Sequence, residues 1–143
     1  MAAPDDRLYE YAVIRYVPRV DREEFINIGL IMMNKRHKWI KGKVFIDCDR
    51  IKSLFPYAEL ETLKKQSLLF ERKDLPKTDL PVEDKYRWLT AVKSACLQVS
   101  PSHPGLIPSE DPFDNFNNLS KPEEKINESL EKEFSRLFNL LIL

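Results

Sequence analysis

Glycine is scarce in this chain, with 3 among 143 residues, and the three stand apart at Gly29, Gly42 and Gly105. Loops that cradle phosphates need clustered glycines so that backbone N–H groups can approach the anion, so the familiar nucleotide-binding loops are excluded. Cysteine and histidine are as sparse, with 2 of each. Cys48, Cys96, His37 and His103 match a Cys2His2 zinc site in number, but no two lie at ligand-pair spacing, and two small core thiols are the simpler reading. Neither Gly-x-Ser-x-Gly nor His-Glu-x-x-His occurs, so no conventional hydrolase motif is present, and no metal or cofactor is expected. An excess of one charge is also missing. Lys plus Arg and Asp plus Glu both number 23, so the whole chain has no electrostatic pull toward nucleic acid or an anionic membrane. The apolar runs Ile28 to Met33 and Leu137 to Leu143 fall far short of the roughly 20 residues of a membrane span. The chain does not open on a basic segment followed by an apolar one, and a cytoplasmic location is expected.

What is present is the composition of a folded domain, with 43% hydrophobic and 32% charged residues. We expect one α+β domain over residues 1–143. Tyr9 to Val17 places Tyr9, Tyr11, Val13, Arg15 and Val17 on one face and Ala12, Ile14 and Tyr16 on the other. Apolar residues on both faces predict a central strand, closed by Pro18. Phe25 to Met33 and Trp39 to Ile46 predict two more strands, joined by the polar turn Asn34 to His37. Ile40, Val44 and Ile46 would face inward. Helical spacing follows: a short turn capped by Asp49 with Ile51, Leu54 and Phe55 inward, then a helix using Leu60, Leu63, Ser67 and Phe70, then Val82, Tyr86, Leu89 and Val92. A capping box at Ser120 to Glu123 predicts a final helix with the stripe Ile126, Leu130, Phe134, Leu137 and Leu141. The predicted fold is an antiparallel meander of three strands, four if residues 95–99 add an edge strand. It packs against three or four helices and ends in the long amphipathic one. Ser100 to Pro112, with four prolines, reads as a long loop wrapping the sheet edge.

Three constellations have chemical potential. Arg15 among apolar strand neighbours is costly to bury unless its donors are satisfied, and Glu24 is the candidate partner. Asn27 is placed in the same way, with Gly29 leaving a gap beside it. Arg15, Glu24 and Asn27 thus form a candidate polar pocket, to which Lys93, Ser94 and His103 are added as candidate ligand-binding residues; the alternative is a satisfied structural network. Asp47 and Asp49 could share a cation or a proton, although a helix cap explains Asp49 without either. The hairpin is locally basic, and Lys38, Trp39, Lys41 and Lys43 alternate cation and aromatic in a way that suits nucleic acid. The neutrality of the chain argues against that use and for a solvated strand edge.

Tyr9-Glu-Tyr-Ala-Val-Ile-Arg-Tyr-Val-Pro18, followed by Glu24-Phe-Ile-Asn-Ile-Gly-Leu-Ile31, resembles the bacterial family called domain of unknown function 3037. Lys93-Ser94, Ser102 to Gly105 and Leu137-Phe138 resemble its later landmarks, so the likeness spans nearly the whole chain. Lys93 stands where the family pattern has arginine, which weakens any role there in gripping an anion bidentately. The resemblance implies no catalytic residue. It implies an accessory partner of a kinase-like protein of the persistence-toxin type. The sequence therefore favours a non-catalytic interaction module with a protein partner, or a second copy of the chain, covering the apolar end Leu140 to Leu143. A small enzyme or ligand-binding domain using Arg15 and Asn27 is the alternative, and a nucleic-acid surface on the hairpin is the third reading.

Overall fold

The computed structural model describes residues 7–19, 24–71, 81–91, 96–107 and 123–143. β1 (Leu8–Arg19) is the central strand that its two apolar faces predict. β2 (Glu24–Asn34) pairs antiparallel along one side of it, and β3 (Trp39–Val44) extends β2 outward. Asn34 closes the β2–β3 turn by accepting from the His37 backbone N–H at 2.9 Å, and Lys38 completes it with φ 51°, a left-handed conformation that a tight turn demands.

The other side of β1 is shared by two short strands. β4 (Leu97–Val99) pairs with Ile14 to Tyr16, and β5 (His103–Leu106) pairs with Leu8 to Tyr11. Among the described residues the sheet therefore has five strands in the order β3-β2-β1-β4, with β5 also on β1. The edge strand anticipated within residues 95–99 is β4, whereas β5 lies in what the prolines marked as loop. An edge strand tolerates proline because only one of its sides must donate. Pro18 likewise sits inside β1 instead of ending it, and the pairing with β2 skips a residue between Tyr16 and Arg19.

A second irregularity organises the layers. Ile14 pairs with Gly29 and Arg15 with Asn27, so Ile28 is an extra residue, a bulge that puts Ile28 and Gly29 on one face. Ile26, Ile28, Ile31 and Met33 consequently join Ala12, Ile14 and Tyr16 in one core, while Leu30 and Met32 join Tyr9 and Val13 in another. The first core is covered by α1 (Cys48–Leu54), α2 (Leu60–Ser67), a 3₁₀ turn (Leu68–Glu71) and α3 (Val82–Thr90). The second is covered by α4 (Glu123–Leu141), whose Leu130, Phe134 and Leu137 are buried and whose Ile126 and Leu141 are partly so. Helices thus clad both faces of the sheet.

Three expectations are corrected by local chemistry. Asp47, not Asp49, caps α1, its Oδ1 accepting from the Arg50 N–H at 3.1 Å; Asp49 is exposed in the first turn. Leu54 points to solvent, because the helix ends there and Phe55 takes the buried position. β3 stops at Val44 instead of Ile46, since the chain must turn at Asp47 to start α1. The Ser120 cap and the apolar residues Phe113, Phe116 and Leu119 lie outside the described residues.

Candidate functional site

Arg15 and Asn27 are cross-strand partners on the α4 side of the sheet. Asn27 Nδ2 donates to the Leu141 carbonyl at 3.3 Å, so the amide satisfies one of the orphan acceptors at the end of α4. The Arg15 guanidinium carbon lies 4.4 Å from the centroid of the Phe25 ring, which supplies a cation–π surface on one side. Among the described residues, Arg15 Nε and Asn27 Oδ1 are nevertheless buried without a hydrogen-bond partner. Part of this pair is structural, and part remains chemically unspent. Glu24 is exposed at the start of β2.

Gly29 is not part of this pocket. The bulge turns it to the opposite face, where a Cβ would stand 2.7 Å from the Lys43 carbonyl and 3.0 Å from Ile14 and Val44 side-chain carbons. Its lack of a side chain permits close approach of β3, and the expected gap is filled.

Beside Asn27 the sheet opens. Phe45 N–H still donates to Ile28 O at 2.7 Å, but beyond that point β3 departs and, among the described residues, the edge of β2 has no further strand. A cleft of about 270 Å³ forms there, between Asn27 and Ile26 on β2, Asp47 and Arg50 at the start of α1, and Ile142 and Leu143 after α4. Phe45 and Leu143 stand on its rim, 47% and 64% exposed. The apolar end Leu140 to Leu143 marks Leu143 in the sequence, but only the early end of β3 makes Phe45 a neighbour.

The hairpin cations are engaged by α4. Lys41 pairs with Glu131 and lies 5.0 Å from the centroid of Phe134, Lys43 lies 4.8 Å from that of Phe138, and Trp39 packs edge-on against Phe134. The alternating face that resembles a base-stacking surface is the face that receives a helix. Lys38 is exposed in the turn. His103 is opposite Tyr11 on β5, its ring 5.3 Å from the tyrosine ring. That is four residues, about 13 Å, along β1 from Arg15, so His103 does not join the pocket. Lys93 and Ser94 lie outside the described residues. Cys48 and Cys96 are free thiols, and among the described residues no three His, Cys, Asp or Glu side chains gather as a metal site. No helix among the described residues is long and apolar enough to cross a membrane.

One polar cluster escaped the sequence reading. Glu133 is buried between Leu130 and Leu137 on the inward side of α4, accepting from Tyr9 Oη at 2.7 Å and from Arg136 Nε. Burial pushes its carboxyl up, but the Arg136 and Tyr9 hydrogen bonds outweigh burial and hold it below the ordinary value. A carboxylate three residues after one stripe leucine and four before another was the available signal.

A five-stranded antiparallel sheet with helices on both faces, and an open cleft where its third strand departs, makes this an α+β domain. More narrowly, the chain belongs to the family described as protein of unknown function (DUF3037), whose model matches residues 11–121. The match takes in the Arg15–Asn27 pair and the α1 side of the cleft and stops before α4. No curated protein and no solved structure matches the chain.

Proposed function

We propose that this chain is a non-catalytic interaction module that seats a segment of a partner protein at the open end of its sheet. The observation that carries this reading is the exposure of Phe45 and Leu143 on the rim of one cleft, with Leu140, 69% exposed, a helical turn before Leu143. An exposed apolar patch beside polar side chains is the usual anatomy of a contact site, and here the apolar floor of Ile26, Ile28, Ile51 and Ile142 is flanked by Asn27, Asp47 and Arg50. Asn27 lines the cleft, and Asp47 and Arg50 add one charge of each sign for orientation. The kinase-like protein implied by the family resemblance is the first partner to co-express.

Tagged protein recovered from its own cells, or co-expressed with that candidate, should bring down the same partner each time. Phe45→Asp with Leu143→Asp should reduce recovery about tenfold or more while leaving the circular-dichroism spectrum unchanged. Undiminished recovery with both aspartates in place would remove the cleft as the docking site.

A second reading is favoured by Arg15 Nε, which has no hydrogen-bond partner among the described residues and would suit a small anionic ligand entering beside Phe25. A small acid that raises the melting temperature of the wild-type chain but not of Arg15→Met would select that reading.

A further inference from the structure

Where β1 ends, a second cleft shares no lining residue with the first. Val17 N–H donates to Cys96 O at 2.7 Å, which brings the start of β4 beside Tyr16. Tyr16 meets Phe55 edge-on at 6.4 Å, and Phe55 meets Tyr57 edge-on at 6.4 Å, so three aromatic rings step from the sheet out to solvent. Beside them is a cleft of about 330 Å³ whose lining includes Tyr16, Pro18, Tyr57, Glu59, Gln66 and Cys96. That volume is at the lower end of those that hold small ligands or single side chains.

The charge of this cleft is one-sided. Glu59 is the only charged side chain among its described lining residues. Glu59 stands at the N-cap of α2, yet its side chain makes no capping hydrogen bond, so that carboxylate is not engaged in capping the helix. Burial, followed by the nearby Cys96 thiol, pushes the Tyr16 phenol above its ordinary value, so Tyr16 keeps its proton. The aromatic rings carry negative quadrupole on their faces, Glu59 supplies a carboxylate acceptor, and the Gln66 amide can turn its oxygen to a cation. Every one of these groups attracts a cation.

We infer that this cleft binds a guanidinium group, stacked on Tyr57 and paired with Glu59. A guanidinium fits better than an ammonium because it is planar, weakly hydrated and able to donate two parallel hydrogen bonds to one carboxylate. Its source is an arginine side chain of another polypeptide or a free guanidino compound.

The test is a ¹⁵N NMR titration of the whole chain with N-acetyl-arginine amide, with methylguanidinium, and with the neutral citrulline counterpart. Saturable shifts are expected at the Tyr57, Glu59 and Gln66 amides with the guanidinium probes and not with citrulline. Affinity should fall about tenfold in Glu59→Gln and in Tyr57→Leu. Glu61→Gln, at an exposed position facing Lys64, should leave it unchanged. Glu59 is exposed and Tyr57 half exposed, so both variants should keep the wild-type spectrum away from the cleft. Tighter binding of the capped arginine assigns the site to a polypeptide arginine, and equal binding of methylguanidinium to a free guanidino compound. Equal shifts with citrulline, no shifts at the cleft, or affinity unchanged in Glu59→Gln would overturn the inference.

Discussion

Glu133 shows how one residue ties a helix to a sheet. Its carboxylate is 4% exposed and takes hydrogen bonds from β1 through Tyr9 and from its own helix through Arg136. A carboxyl held below its ordinary value of 4.5 in the fold stabilises the protein fully above that value, and the contribution disappears as pH falls through the folded value. We expect Glu133→Gln to lower stability at neutral pH by about 1–3 kcal/mol, the cost of weakening a charge-assisted buried network. The same variant should lose less stability than wild type on acidification below about pH 4.5, as urea titrations across that range would record. An identical acid limb in both proteins would mean that Glu133 is not the carboxylate responsible.

At the scale of elements, the 3₁₀ turn and β3 hold one another at backbone distance. Gly42 has no side chain where Phe70 passes, and a Cβ there would stand 2.1 Å from the Phe70 carbonyl oxygen. Glu71 fixes the same turn by accepting from the Val44 N–H at 2.8 Å. Gly42→Ala should therefore cost roughly 1–3 kcal/mol, because backbone and not a flexible side chain must yield. Amide exchange should accelerate first in β3 and the 3₁₀ turn, and uniform acceleration over the sheet would contradict this local account. These contacts also show what could be read from the sequence and what could not. Apolar runs revealed β1 and β2, alternation revealed β3, and the stripe on α4 revealed which side of that helix is buried, because these signals are local. The bulge at Ile28 was hidden because it depends on pairing with Ile14, and it moved Gly29 away from the pocket imagined beside Asn27. β5 was hidden because His103-Pro-Gly-Leu106 has no strand propensity and pairs only because β1 offers a free edge. Arg15 and Asn27 were legible as polar residues on an apolar strand, whereas the cleft beside them depends on where β3 departs.

For the whole molecule, burial of phenols sets an alkaline limit. Tyr86 is pushed up to about 12 chiefly by burial, and burial likewise raises Tyr16 and, helped by Glu133, Tyr9. Groups whose folded values are raised stabilise the fold fully below the ordinary tyrosine value of 10.0, and that stability is lost as pH climbs toward the folded values. Phenolate absorbance should therefore show some of the 5 tyrosines ionising only as circular dichroism reports unfolding above about pH 10. Ionisation of all five before any loss of structure would show that these rings are more accessible than their packing implies.

The position of α4 in the chain has a further consequence for biosynthesis. Tyr9, Val13, Leu30 and Met32 leave the ribosome long before Leu130, Phe134 and Leu137, the residues that cover them. β1 also waits for residues 97–106 before its second edge is paired. A nascent chain halted before α4 thus displays an apolar sheet face, a surface for chaperones to hold, and α4, made well after that face, is the helix that ends the exposure.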